Sequence, residues 1–318
     1  MKAKKSYSLS SFFIVSGEMI DGHGEDSYSY EYTDKKGFIG VFDGCGGIGA
    51  KRYPFFNSHT GAFLASRIAA YTTQKWWNVS SAENPNINTL YENLCENISV
   101  FKKIGEEQSQ STVLKGSLSE KSFPTTTVII TYDFTDKPMC KYIWAGDSRG
   151  YILDRYGLCQ VTSDDIDSDG DAYENIEGDA KVNNVINADK EFHLNQKEII
   201  LSEPCIVFAA TDGCFSYIHT PMEFEYLLLS SLCLSDSIYD WEKKLKLHLH
   251  KQASDDYTMT VLIFGFKRFK DIKSYYRKRL HKLNREYISK LSIARETDDS
   301  MKIDILWKQY KGLYYRYE

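Results

Sequence analysis

Two Asp-Gly pairs, each closing a short apolar run of β character, constrain this chain more than any other feature: Val41-Phe-Asp-Gly-Cys-Gly-Gly47 and Ala210-Thr-Asp-Gly213. An Asp at the end of a strand has a fixed side chain, and the Gly after it lets the backbone turn sharply and bring its carbonyl close to a ligand. Gly24-Glu-Asp-Ser27 lies upstream and Ser254-Asp-Asp-Tyr-Thr258 downstream. If the fold gathers these strand ends, Glu25, Asp43, Asp212 and Asp255 converge as oxygen ligands for hard cations. An isolated Asp-Gly is more often a plain turn. Several of them at strand ends, in a fixed order with distinctive neighbours, point to a site.

The rest of the chain sets the frame for such a site. Its 318 residues suffice for a substantial core, as one large domain or a domain with an appendage. With 42% hydrophobic and 26% charged residues the composition is that of a globular protein, and 23 Tyr favour β-rich packing. The seven Cys are scattered without a Cys-x-x-Cys pair or a Cys/His cluster, which reads as reduced thiols in a cytoplasmic protein and argues against zinc. Met1-Lys-Ala-Lys-Lys5 resembles the start of a signal peptide, but the apolar run Phe12–Val15 is too short for a signal core and reads as a first strand. No apolar run reaches membrane-spanning length.

Residues 11–16, 27–33 and 37–43 read as strands, and helices are expected over 58–77 and 88–107. Strand signals return at 125–131, 141–145, 150–153, 205–210 and 258–266, with a helical stretch over 221–252. Residues 163–180, polar and acidic, read as an exposed flap. This order implies an α+β, layered αββα protein over residues 1–266. Beyond Phe266, Tyr276, Leu280, Leu283, Tyr287 and Leu291 mark an amphipathic helix, and a break at 297–300 precedes a second one. Residues 267–318 thus form a basic helical hairpin, with eleven Lys/Arg against two acids between Lys267 and Arg295.

Mg²⁺ and Mn²⁺ take oxygen ligands, keep several waters and use few carboxylates each. A two-metal hydrolase needs one carboxylate bridging the ions, acids on either side, and a metal-activated water. The neighbours of the carboxylates here resemble the motifs of the metal-dependent protein phosphatases of the PPM or PP2C type. The matching stretches are Gly24–Ser27, Val41–Gly47, Thr125–Val128, Ala145-Gly-Asp-Ser-Arg149, Thr162–Asp165, Ala210–Gly213 and Asp255–Thr258, in the family order over roughly residues 10–266.

The resemblance implies a sandwich of two antiparallel sheets flanked by helices. It also implies a phosphatase acting on phosphoserine and phosphothreonine proteins with two Mn²⁺ or Mg²⁺ ions and a bridging water. On that pattern Asp43 bridges the ions and Gly44 contributes its carbonyl. Glu25 serves one ion, Asp212 and Asp255 the other, and Asp26 supports the site by hydrogen bonding. Asp147 matches a position that helps hold a third ion; its plainer reading is a turn acid between two strands. The partner implied is a phosphoprotein, one made by a cognate kinase.

Two positions depart from the family. Cys45 stands where relatives commonly carry a His that protonates the leaving alkoxide. A thiol, of reference pKa about 8.5, is an atypical general acid, and the alternative is that water supplies the proton. Asp21 stands where many relatives carry an Arg that grips the substrate phosphate, and His23, Lys51 and Arg52 are the nearby substitutes. Both departures suit an alternative function, a pseudophosphatase that binds phosphoproteins as a scaffold. Retention of every metal carboxylate opposes that reading, because clustered acids repel unless cations neutralise them.

Asp165–Asp171 resembles the opening of an EF-hand loop, but Ile176 stands where its closing Glu belongs, so an acidic flap is expected instead. The basic tail is expected to be solvated or docked on the acidic phosphatase surface. Docking a protein partner comes next, ahead of nucleic acid or membrane.

Overall fold

The apolar runs fold into strands and the 3.6-period segments into helices. The computed structural model describes residues 7–80, 85–107, 122–168, 170–177 and 181–317. In chain order it contains β1 (Leu9–Gly17), β2 (Ser27–Tyr32), β3 (Lys36–Gly44), β4 (Arg52–Tyr53), β5 (His59–Thr60), α1 (Gly61–Ser80) and α2 (Ile87–Glu107). Then follow β6 (Thr125–Asp133), β7 (Met139–Ala145), β8 (Arg149–Asp154), β9 (Gly157–Gln160), α3 (Glu174–Glu177), β10 (Asn195–Ile200) and β11 (Cys205–Ala210). The last third holds α4 (Pro221–Leu234), α5 (Ile238–Gln252), β12 (Tyr257–Phe264), α6 (Phe269–Leu283), α7 (Ser289–Glu296) and α8 (Ser300–Tyr314).

Two five-stranded antiparallel sheets run in the orders β1-β12-β11-β8-β9 and β10-β7-β6-β3-β2. Their facing surfaces enclose Val41, Val128, Ile130, Tyr142, Val207, Leu262 and Phe264. On the outer face of the second sheet, Phe38, Phe42 and Ile129 pack against Ile68 and Trp76 of α1 and Leu90 and Leu94 of α2. On the outer face of the first, Phe13, Phe208 and Val261 meet Leu228 of α4 and Trp241 and Leu245 of α5. The expected four-layer αββα sandwich is therefore present. Because helices cover both outer faces, central strands such as β11 and β12 are buried on both sides and read as continuous apolar runs.

The helical stretch over 221–252 is two helices, because Ser235–Ser237 interrupts it. The Ser237 hydroxyl accepts from Asp240 N (3.1 Å), a capping bond that restarts the helix. Four strands went unanticipated: β4 and β5 are two residues each, β9 is only four residues long, and β10 is an edge strand on which Ile199 alone is buried.

The C-terminal helices are present as expected, and the break at 297–300 is where Asp299 caps α8 by accepting from Lys302 N (2.9 Å). They are built into the sandwich's outer layer: Ile272, Tyr276, Leu283, Leu306, Trp307 and Tyr310 share one apolar cluster with α4, α5 and the first sheet. Arg279 donates to both oxygens of Glu225 on α4 (2.6 Å each), with both side chains buried. Most of the other basic residues face solvent.

Register fixes where the motifs meet. In the second sheet Asp43 pairs with Thr126, Thr127 with Ala145 and Ser27 with Phe42. In the first, Gly17 pairs with Tyr257 and Ala210 with Met259. The ends of β3, β7 and β11 and the starts of β2, β6 and β12 thus lie along one edge of the sandwich.

Candidate metal centre

At that edge Asp43, Gly44, Cys45, Asp147, Asp212 and Asp255 line one cavity of about 330 Å³, with Thr126 also in its wall. Residues far apart in sequence meet there because antiparallel pairing returns each strand end to the same side.

Both Asp-Gly pairs owe their glycines to backbone crowding. A Cβ on Gly44 would lie 2.5 Å from the Ala62 carbonyl oxygen, and one on Gly213 would lie 2.0 Å from that of Asp256. Each Asp is therefore held by a backbone that packs too closely for any other residue to follow it. Further bonds fix the frame: Thr125 Oγ1 donates to the Asp43 carbonyl (2.7 Å), and Thr126 and Ser148 share a hydroxyl bond (2.9 Å).

Electrostatically the group is unbalanced. Burial, then repulsion from Asp212, Asp26 and Asp147, pushes the Asp43 carboxyl well above its ordinary value. Burial followed by repulsion from Asp212 raises Asp147 to about 7. Burial also raises Asp212, which Asp255 pushes further in the same direction. Asp255 is raised by burial as well. None of these four is held below its ordinary value, as a cation partner would hold it. The neighbouring guanidinium, Arg149, is committed to Asp164 (3.0 and 2.6 Å).

The donor set suits hard divalent cations: carboxylates dominate it, and among the described residues no His lines the cavity. Among the described residues no three His, Cys, Asp or Glu side chains close on one point. The acids ring a cavity instead, which leaves room for the water ligands that Mg²⁺ and Mn²⁺ retain.

Glu25 and Asp26 stand behind this ring. The Glu25 carboxylate accepts from Thr60 Oγ1 and lies against Gly46, where a Cβ would come within 2.2 Å of Oε2. Asp26 accepts from Thr211 Oγ1 (2.8 Å), and burial, despite that bond, raises it to about 8. Asp256 is a residue that sequence reasoning missed. It accepts from Met19 N (2.8 Å) and Glu25 N (2.7 Å), tying the Glu25–Asp26 turn to the start of β12. Its place beside Asp255 was the available signal.

Asp21 and His23 are exposed in a turn closed by His23 N on the Ile20 carbonyl (3.0 Å). Arg52 donates to the Ser58 carbonyl (2.9 Å), and Lys51 lies over the Tyr53 ring. None of these four lines the cavity; among the described residues its basic residues are Lys181 and Lys190. Neither was anticipated, since both follow the acidic flap in a stretch without a motif. The flap itself is more structured than expected. Asp165 accepts from Gly146 N (3.0 Å) and from the amides of Asn184 (2.6 Å) and Asn195 (2.9 Å), so it serves the protein's own donors as no EF-hand acid does.

No family model and no curated protein matches the chain by sequence. Solved structures do match. PppA, a regulatory component of T6SS in Pseudomonas aeruginosa, has a TM-score of 0.55 at 18% identity, covering 80% of this chain and 98% of that one. The PPM Ser-Thr phosphatase MsPP from Mycobacterium smegmatis, in complex with cacodylate, has a TM-score of 0.55 at 12% identity over the same shares. The catalytic domain of the serine/threonine phosphatase PstP, in complex with two manganese ions, has a TM-score of 0.53 at 15% identity, over 81% of this chain and 99% of that one. The fold is that of the PPM, or PP2C, phosphatases. Within that PP2C-like fold, the edge carrying Asp43 and Asp212 is the candidate centre. No described helix is long and apolar enough to cross a membrane.

Proposed function

We propose that this protein is a Mn²⁺- or Mg²⁺-dependent phosphatase of phosphoserine and phosphothreonine proteins. The observation that carries the reading is the convergence of Asp43, Asp147, Asp212 and Asp255, from four separate chain segments, on one cavity of a PP2C-like fold. Asp43, with the Gly44 carbonyl, would bridge two ions; Asp212 and Asp255 would hold one of them, and Asp147 a third. Glu25 would reach the other ion from behind Gly46, and Asp26 would hold Thr211 and the adjoining strand end in place. Bound cations would supply charge neutralisation for the phosphoryl group and a hydroxide nucleophile near neutral pH.

The protein's own residues supply the remaining functions. Lys181 and Lys190 put positive charge in the wall of an otherwise acidic cavity, suited to a phosphoester dianion. Cys45, in the cavity wall, would give a proton to the departing Ser or Thr oxygen, with water as the other donor. Asp21, out in its turn, does not face the cavity, so its charge does not oppose phosphate there. Residues 1–266 supply every one of these groups and form the phosphatase unit; 267–318 are its extension. A cytoplasmic phosphoprotein, product of a cognate kinase, is the substrate this assigns.

A scaffold that only binds phosphoproteins has no use for four mutually repelling carboxyls. Calorimetric titration with Mn²⁺ separates the two readings. Binding that Asp43→Asn abolishes is expected, and the absence of any binding to folded protein would leave only the scaffold.

A further inference from the structure

The flap that precedes Lys181 is gripped from outside by the last helix. The Asp171 carboxylate accepts from Trp307 Nε1 (2.7 Å) and pairs with Lys311 Nζ (2.9 Å), both on α8. The neighbouring Ala172 is buried, and its N–H donates to the hydroxyl of Tyr315, just past α8 (2.7 Å). Asp171 also accepts from the N–H groups of Tyr173 (3.0 Å) and Glu174 (3.2 Å), so one carboxylate joins the flap's own turn to the tail.

The grip connects to the cavity through a short ladder. Asp167 N donates to the Lys181 carbonyl (2.8 Å) and Asn183 N to that of Asp165 (2.9 Å), with Ile166 and Val182 bridged between them. Lys181 and Val182 then line the cavity. Trp307 is itself anchored in the core, 3% exposed and packed on Tyr310 and Tyr314, so the holding side is rigid.

We infer that α8 is a positioning element for the cavity mouth: Trp307, Lys311 and Tyr315 hold Asp171 and Ala172, and through them the ladder that sets Lys181 and Val182 in the cavity wall. The tail is then linked to the site through the chain that carries both Asp167 and Asp171, and whatever displaces α8 alters how the cavity receives an anionic substrate. The ladder claim is independent of the phosphatase reading. The effect on substrate rests on it.

Hydrogen exchange on the full chain tests the ladder. Asp171→Ala removes the carboxylate from the flap side, Lys311→Met removes the cation from an exposed face, and Lys308→Met is the control. A charge-assisted hydrogen bond corresponds to about tenfold in a local opening equilibrium. The expected result is exchange about tenfold faster at the Asp167 and Asn183 amides in Asp171→Ala, a smaller rise in Lys311→Met, and none in Lys308→Met. The core amide of Ile129 should be unchanged. Wild-type exchange at 167 and 183 in Asp171→Ala, or equal acceleration at Ile129, overturns the inference. With Mn²⁺, Asp171→Ala should raise KM for a phosphothreonine peptide several-fold and leave kcat for p-nitrophenyl phosphate near wild type; an unchanged KM overturns the link to the mouth. A wild-type protein without turnover sinks the phosphatase reading, while the exchange data still decide the ladder.

Discussion

Asp43, ending β3 of one sheet, and Asp212, following β11 of the other, share a hydrogen bond across the edge of the sandwich. It holds Asp212 lower than burial alone would. A proton there does what a divalent cation does better: it lets two buried acids approach.

The metal-free protein should therefore lose stability as pH rises. A carboxyl whose folded pKa is raised binds its proton more tightly when folded, so its contribution is complete below the unfolded value and lost on passing the folded one. For Asp147 that window runs from its ordinary value of 3.8 to about 7. Mn²⁺ needs the deprotonated acids, so its stabilisation should grow over the same window, reaching about 2.7 kcal/mol at a hundredfold excess over Kd. Thermal melts with EDTA and with Mn²⁺ from pH 5 to 8 check this; parallel curves would contradict it.

The glycines of the two Asp-Gly pairs should be intolerant for steric reasons. Gly213→Ala and Gly44→Ala each force a Cβ against a backbone carbonyl, at 2.0 and 2.5 Å. Overpacking of this kind costs roughly 1–3 kcal/mol. Gly47, with nothing within 4 Å of its added Cβ, is the control, and its substitution should stay within about 0.5 kcal/mol. Urea denaturation ranks the three.

The buried Arg279–Glu225 pair should make the tail indispensable to the fold. Arg279→Ala leaves Glu225 buried without its guanidinium, which costs about 3–5 kcal/mol. Truncation after Phe266 additionally uncovers the apolar cluster that α4 shares with Tyr276, Trp307 and Tyr310. Urea midpoints of both should fall well below wild type, and an unchanged midpoint in either would show the tail to be only an attachment.

These contacts also show where sequence reading stops. The layered sandwich was legible because β3, β6, β11 and β12 are buried on both sides and announce themselves as apolar runs. The acids were legible because each motif has a distinctive neighbour. Lys181 and Lys190 were not, since Lys181 reaches the cavity through a backbone ladder with residues 165–167 that no motif announces, and Lys190 lies in a stretch equally without one. The tail read as a separate hairpin because its pattern shows an apolar stripe but not the surface it covers. Tyr276, for example, donates its hydroxyl to the Leu153 carbonyl of β8 (2.6 Å).

Cys45 should limit turnover of alkyl phosphoesters more than aryl ones. A p-nitrophenolate leaves without protonation, while a threonine alkoxide needs a proton, and a placed acid contributes typically 10²–10⁴-fold. Cys45→His is expected to speed release of phosphate from a phosphothreonine peptide, up to about a hundredfold, and to leave p-nitrophenyl phosphate hydrolysis nearly unchanged. Steady-state kinetics on both substrates decides it. Equal gains on both would assign residue 45 another role.

The most direct test of the central claim is phosphate release from a phosphothreonine peptide, in Mn²⁺ and in EDTA, by wild type and by Asp43→Asn and Asp212→Asn. The account predicts turnover by wild type in Mn²⁺ alone, with both variants folded and inactive. Wild-type protein that is folded and silent in Mn²⁺, or variants that turn over at the wild-type rate, would contradict it.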